Sequence, residues 1–564
     1  MREKLVRKEK IIAHFTPEIA LHQEFPNYTG GLGVFSASAA FSAKKLEVPM
    51  VVVSMLYSEG YYDQGIEHNR MSVGYTDRFM GGNPDSYYLK KKIIEDTGVM
   101  FTVSVNGYSD WVKVYRLTDE AMEKYATVPV YYLTTDIPQN KPEARMNSLN
   151  PYGGAGDRGA NMERKIAQSI ILGCGGIEAL KRLEIPVEVY HLNESHVAFA
   201  ALQIFANFYR ECGDADEARR RTREKVVFTT HTPVVAGNPR YGFGTVEKFL
   251  KNGRSVPHEV LARLGKNSLG EFDMATLGFR LSRMANAVSK RHREKAYEMW
   301  AWLGEDLPEL ISITNGTSQD FWQYPEFRKA LNPAEMKACK AHYKQKMLDL
   351  VAAATGKVFR LDAPTLVFAR RFAEYKRPML LFSSDWAKQQ LYAGKMQVVF
   401  AGKPHPDDNH PTRGMVKAWN DILEVSYEIP NLAILPGYEL EMSKILKAGA
   451  DIWLNNPRAP FEACGTSGMS AMMNGAIHMS TPDGWAREEF PENCFVFGTR
   501  LESDDQDKFD AEKLQDCIAN ALALYEHDKS GWYEKAFDAK REAEENWTSD
   551  RMLAEYCEKM YELQ

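Results

Sequence analysis

Apolar residues fall in short runs separated by amphipathic stretches, and their alternation places most elements. Ile11–Phe15 and Met50–Met55 are runs of strand length, and between them Val34–Leu46 carries Ala, Phe and Ser at helical spacing. The turn-rich segment PNYTGGLG ends in glycines at the loop-to-helix junction, giving a β–loop–α–β pattern. Residues 70–160 are mixed: Met100–Val105 and Val128–Leu133 alternate like strands, and Tyr152–Asp157 reads as a flexible loop. The pattern then predicts a helix over 161–182, a strand over 187–192, a helix over 195–211 and a strand over 226–230 with His231 at its end.

A second alternating block begins after Pro364. Strands are predicted at 365–369, 397–401, 431–435, 451–454 and 476–480, with helices at 376–389, 412–423 and 438–448. Strands alternating with helices predict an α/β protein of two Rossmann-like, doubly wound domains whose strand ends face a shared cleft. The expected bounds are 1–325 and 326–540; 317–360 reads as a helical, polar hinge and insertion, and 541–564 as a helix packing back across the first domain.

Composition adds mainly exclusions. The 564 residues are 44% apolar and 26% charged, with a net charge of −6, so no basic face is expected and no nucleic-acid partner. Seven scattered cysteines without a CxxC pair argue against a disulfide framework and structural zinc, and for a reducing, cytoplasmic compartment. The start of the chain, MREKLVRKEK, lacks an apolar leader core, and no run has the length of a membrane span.

The candidate chemistry sits at predicted strand ends. In Pro460–Asp483, Glu462 precedes Gly465, Thr466, Ser467 and Gly468 and then a helix-like run, an arrangement that offers a carboxylate and outward N–H groups to sugar hydroxyls or an anion. Gly30, Gly31 and Gly33 open the first helix and either let a phosphate approach the backbone or simply make a tight turn. Arg370–Arg377 places four cations in eight residues at a strand-to-helix junction, which suits a phosphate or else is a solvated charge run. Glu194, His196 and His231 end first-domain strands; Glu194 and His196 have no third partner spaced for a metal, so none is expected. Asn315-Gly316 reads as a turn, and His405, Asp407, Asp408 and His410 as a solvated loop.

Taken in order, TGGLGVF, LYSEGYYDQ, YHLNESHVAF, TTHTPVVAG, NAVSKRHRE, ITNGTSQDFW, FARRFAEYKRP, FAGKPHPDD and NNPRAPFEACGTSGM resemble the α-glucan phosphorylases, particularly their shorter bacterial and archaeal branch, over roughly residues 11–500. The resemblance implies a glycosyltransferase-B architecture and retention of anomeric configuration. It implies Arg371 and Lys376 on the leaving phosphate, helped by the Gly30–Gly33 backbone, and Glu462, Gly465, Thr466 and Ser467 on ring hydroxyls. His231 and Asn315 would lie beyond the hexose and Glu194 and His196 on the acceptor side, with Arg371, Lys376, His231 and Glu462 as the catalytic set. It also brings a homodimer into consideration.

One departure matters. The family carries pyridoxal phosphate on the lysine of EASGT-x-x-M-K, and here that position is Ser470, with no lysine downstream before Lys508. No covalent cofactor, and no pyridoxal phosphate, is therefore expected. The favoured expectation is a hexosyltransferase using a nucleotide sugar, whose nucleotide would take the cofactor's space. The alternatives are a phosphorylase making glucose 1-phosphate without a covalent cofactor, and a non-catalytic glucan-binding relative. Leu435–Glu439 and Ser195 also differ from the family's usual residues, so the hydroxyl acceptor need not be a glucan.

Overall fold

A computed structural model describes residues 10–154, 158–234, 237–251, 256–410, 412–487, 493–499 and 503–563; the end of the expected 152–157 loop lies outside these. The chain folds as a mixed α/β protein of two compact units. One takes the chain up to Tyr62, from Tyr75 to Thr314, and from Met552 onward; the other takes Asp63–Gly74 and Asn315–Arg551. Against the expected bounds, the change of unit falls at Thr314–Asn315, the helix Lys529–Asn546 stays with the second unit, and only the chain from Met552 returns to the first.

The first unit is built on a nine-stranded sheet. In spatial order its strands are Glu309–Ser312, Met284–Ala287, Val226–Thr230, Val187–Asn193, Ile11–Phe15, Met50–Met55, Val130–Thr134, Tyr108–Leu117 and Ile94–Val105. Pairing is parallel as far as Val130–Thr134, and the hairpin Ile94–Leu117 adds an antiparallel edge. Met50–Met55 is buried at every position, as in a strand covered on both faces. The expected helix over 161–182 is two helices, Arg158–Ile170 and Gly176–Arg182, joined by a π turn at Ile171–Gly175. Glycines let this segment pack closely on its neighbours: a Cβ on Gly173 would lie 2.6 Å from the Ala200 nitrogen, and one on Gly176 2.4 Å from the Phe15 ring. The helix expected over 195–211 starts with a short turn, Ser195–Val197, before Phe199–Cys212.

The second unit holds a six-stranded, all-parallel sheet in the order Leu432–Leu435, Gln397–Ala401, Thr365–Ala369, Ile452–Asn455, Ile477–Ser480, Phe495–Val496. In chain order that is 3-2-1-4-5-6. Alternate residues feed two cores. Leu366, Phe368, Val398 and Phe400 pack with Trp419, Ile422 and Ile518, while Val367, Ala369, Val399 and Ala401 pack with Met347, Val351 and Leu446. Each large apolar side chain so buried contributes roughly 1.5–3 kcal/mol.

The helix expected over 376–389 does not form as one piece. Turns at Glu374–Lys376 and Leu380–Phe382 precede a helix at Trp386–Tyr392. Pro378 disfavours helical backbone at the residue before it, and Arg377 is left-handed with φ 48°. The helices expected at 412–423 and 438–448 are Met415–Glu428 and Leu440–Gly449. The expected insertion contains a 23-residue helix, Pro333–Thr355, whose Lys340 ammonium donates to the Ala448, Ala450 and Asn474 carbonyls. Asn315-Gly316 is more than a turn. The next residue, Thr317, donates its N–H to the Trp547 carbonyl and accepts from the Ser549 N–H, and a Cβ on Gly316 would fall 2.2 Å from the Thr548 carbonyl oxygen. Among the described residues no helix is long and apolar enough to cross a membrane.

Candidate functional site

In the second sheet the strand order reverses between Thr365–Ala369 and Ile452–Asn455, the position at which doubly wound sheets bind ligands beyond the strand ends. The loops leaving these two strands carry Arg370 and Glu462. Arg370 is held from below: its N–H donates to the Ala401 carbonyl, and its own carbonyl sits against Gly402, where a Cβ would be 1.9 Å away. Glu462 is anchored by its backbone N–H on the Asp483 carboxylate at 2.8 Å. One carboxylate oxygen, Glu462 Oε2, then accepts from Arg370 Nη2 at 2.5 Å and from Lys376 Nζ at 2.9 Å.

The charges do not balance. Burial opposes ionisation of Glu462, but the charges of Lys376 and Arg370 and their hydrogen bonds overcome it and bring its pKa down to about 2. Burial, followed by the charges of Arg370 and Arg371, lowers Lys376 to about 7 despite the pull of Glu462. Arg370 is 6% exposed, and its Nε and Nη1 have no hydrogen-bond partner among the described residues. A buried guanidinium with open donors beside an ammonium already short of counter-charge calls for an anion.

Arg371, expected on the phosphate, is exposed, and its side chain hydrogen-bonds to Tyr375. The buried cation is its neighbour Arg370, which the motif does not single out. Gly465 caps the helix Thr466–Met473, and a Cβ on it would lie 3.5 Å from both Arg370 Nη2 and the Glu462 carboxylate carbon, so this loop packs directly on the ion pair. Thr466 and Ser467 are half-buried at the helix start, and Ser467 Oγ already accepts from Trp453 Nε1 at 3.2 Å. His478, also unforeseen, lies under Gly468 and stacks on Trp485 with ring centroids 5.1 Å apart. Burial and then the Arg370 charge hold its pKa at about 3, and its Nδ1 is without a partner among the described residues.

Ser470 is buried among Met469, Met472 and Met473, and its hydroxyl donates within its own helix, to the Thr466 or Ser467 carbonyl. The position the resemblance assigns to a cofactor lysine thus presents no amine and no outward polar group. Pyridoxal phosphate has no residue there on which to form an imine.

The polar cluster of the first unit is of another kind. Glu194, with φ 78°, accepts from the Ser195 N–H through Oε1, and from the His231 N–H and Thr232 hydroxyl through Oε2. Asn193 donates through Nδ2 to Thr16 and Ser36, so its Oδ1 accepts from His231 Nε2 at 2.6 Å. His231 is therefore the Nε2–H tautomer, with Nδ1 left as an acceptor. Burial, then the neighbouring His292 and His14, keep its pKa near 3. In this neutral form Nδ1 can receive a hydroxyl proton in a hydrogen bond.

The glycine loop is likewise occupied. The N–H groups of Thr29 and Gly30 donate to Glu18 Oε2, and the space for a Cβ on Gly33 is taken by Tyr28 and Glu18. Gly31 begins the helix on the exposed side. A buried carboxylate holding the loop is unfavourable to the phosphate expected there on Gly30, Gly31 and Gly33. His196 packs edge-on to Tyr152, with burial lowering its pKa to about 4, and among the described residues it belongs to no metal-ligand set. Asn315 belongs to the second unit; it is buried, its Oδ1 has no partner among the described residues, and its carbonyl accepts from Arg551.

The structure thus brings Arg370, Lys376, Glu462 and Gly465 together in one unit, and Glu194 and His231 in the other, where Gly30 is held separately by Glu18. The first group lies within the part of the chain that matches a known family. Residues 319–524 match the carbohydrate phosphorylase family. An uncharacterized protein of Methanocaldococcus jannaschii is 36% identical over 562 residues, covering 98% of this chain and 100% of that one. Maltodextrin phosphorylase of Thermococcus litoralis is 28% identical, covering 98% and 70%, and glycogen phosphorylase of Aquifex aeolicus is 27% identical, covering 98% and 86%. With 98% of its length matched to these enzymes, the chain belongs to the α-glucan phosphorylase family.

Proposed function

We propose that this protein is a retaining glucosyltransferase of the phosphorylase type, which cleaves an α-glucan with inorganic phosphate to give glucose 1-phosphate, and works without covalently bound pyridoxal phosphate. The observation that carries the proposal is the charge around Glu462: one carboxylate, a lysine lowered to about 7, and an arginine with two open nitrogens. Phosphate supplies what is missing. In the proposed reaction a phosphate hydroxyl gives its proton to the departing glucan oxygen as the C1–O bond breaks. A phosphate oxygen then bonds to C1 on the same face, so no protein nucleophile is needed. Arg370 and Lys376 hold the phosphate and stabilise the oxocarbenium–phosphate pair. Glu462 keeps both cations in place and accepts from a sugar hydroxyl. The proposal reads each of the two units as a Rossmann-like domain. The nucleotide-sugar expectation gives way because the two relatives with named activities reported above are phosphorylases.

The test is direct. The purified protein is incubated with maltodextrin and phosphate and assayed for glucose 1-phosphate, and a separate sample, as purified and with no pyridoxal phosphate added, is reduced with borohydride and weighed by mass spectrometry. Phosphorolysis with no pyridoxyl adduct supports the proposal. Hexosyl transfer from a UDP-, ADP- or GDP-hexose without phosphorolysis defeats it, and an adduct on a lysine defeats the cofactor part.

A further inference from the structure

The hairpin Asp63–Glu67 and Arg70–Gly74 leaves the first unit's part of the chain and folds with the second unit. Its anchor is Gln64, a side chain 9% exposed. The amide nitrogen Nε2 donates to the Gly402 carbonyl at 3.3 Å, and the amide oxygen Oε1 accepts from the Gly437 N–H at 3.1 Å. These backbone groups lie just beyond the strands Gln397–Ala401 and Leu432–Leu435, at the carboxyl edge of the sheet. Met71 fixes the far arm: its N–H donates to Asn420 Oδ1 at 2.8 Å, and its side chain packs on the sheet's core.

In a doubly wound sheet the phosphate lies on the loop after the first strand and the nucleoside over the ends of the strands next to it. Here the first strand is Thr365–Ala369, with Arg370 at its end, and the next two are those that Gln64 caps. A primary amide presents one donor beside one acceptor, the same pair shown by the N3–H and O4 edge of uracil or the N6–H and N1 edge of adenine. The two backbone groups that would read such an edge are already bonded to a side chain of the chain itself.

We propose that the Asp63–Gly74 hairpin is an internal occupant of the nucleoside position, with Gln64 in place of the base edge, so that the second unit accepts phosphate or a sugar phosphate and excludes a nucleotide sugar. This rests on the phosphorylase-type reading for the identity of the accepted ligand, but the exclusion is a property of the hairpin and is measured separately.

The experiment is a thermal-shift and calorimetric panel of phosphate, glucose 1-phosphate, ADP, UDP and their glucose esters on the wild-type protein, Gln64→Gly and Gln64→Glu. The wild type should respond to phosphate or glucose 1-phosphate and to no nucleotide. Gln64→Gly should gain a nucleotide response of about 2 °C or more in Tm while keeping its phosphate response. Gln64→Glu, with only acceptors against the Gly402 carbonyl, is a second way of loosening the hairpin and should gain the same response if the glycine variant does not fold. Stabilisation of the wild type by ADP or UDP, or a folded Gln64 variant with no gain, overturns the proposal. If glucan phosphorolysis fails while the variants gain nucleotide binding, the functional reading falls and the hairpin inference stands.

Discussion

The two polar clusters contain similar residue types and do opposite things with them. In the first unit the carboxylates are used up internally, Glu194 taking three donors and Glu18 closing the glycine loop, and Asn193 fixes His231, while the open atoms there, such as Ser195 Oγ, His196 Nδ1 and Thr230 Oγ1, belong to uncharged groups. In the second unit Glu462 is shared by two cations, and Arg370 retains open donors in a buried setting. A satisfied network holds a shape, while an unsatisfied one attracts a ligand. Burial alone does not separate them, because both are well buried. What separates them is the count of donors against acceptors.

That contrast can be broken at its strongest point first. Glu462→Gln leaves two buried cations without a counter-charge and should cost roughly 3–5 kcal/mol of stability, read by denaturant unfolding. Because the pKa of Glu462 is depressed to about 2 from 4.5, its stabilisation is present above about pH 4.5 and fades as the pH falls towards 2, so the wild type and the variant should converge there. Next comes Lys376→Met, which should lower phosphorolysis by about 10²–10³-fold while the fold is kept. With its pKa lowered to about 7, Lys376 is held below its unfolded value, so folding gains stability as the pH rises from about 7 towards 10.5; the variant should lose that slope. Phosphate should draw the proton back on binding, and calorimetry in buffers of different ionisation enthalpy should detect proton uptake near pH 8 in the wild type only.

The satisfied cluster should give smaller effects. Glu194→Gln sets an amide N–H₂ where a carboxylate received backbone and hydroxyl donors, for a loss of about 1–3 kcal/mol with phosphate binding unchanged. A comparable loss of phosphate affinity would show that the two clusters are not separable. The smallest expected effect is from Tyr561→Phe. It removes the hydroxyl 2.6 Å from His191 Nδ1 and should cost about 1 kcal/mol, measured by thermal unfolding.

The strands were readable from the sequence because parallel strands buried on both faces are continuous apolar runs, as Leu366–Phe368 and Met50–Met55 illustrate. The carboxylate and the lysine of the cation cluster were readable as a motif. Which arginine faces inward was not, since Arg370 and Arg371 are adjacent and their directions are set by Gly402 and the break at Pro378, neither of which is marked by periodicity. The role of Glu18 was hidden for a related reason. It reaches the glycine loop from 11 residues away in the chain, and nothing local in the sequence marks a carboxylate that points at backbone N–H groups. The hairpin at Asp63–Gly74 escaped because a two-stranded ribbon with half-exposed faces has no strong alternation.

The return of the chain at Met552 has a consequence for biosynthesis. His191, on a central strand of the first unit, is tied through its ring nitrogens to Tyr561 and to Thr229, and Thr229 and Tyr556 are joined through Asn286. Those tyrosines leave the ribosome only after the whole of the second unit has been made. A nascent chain can assemble most of the first sheet early, yet the polar interior of that sheet stays open to water until the chain beyond Met552 has emerged. Premature termination anywhere before Tyr556 would therefore damage the unit that was synthesised first.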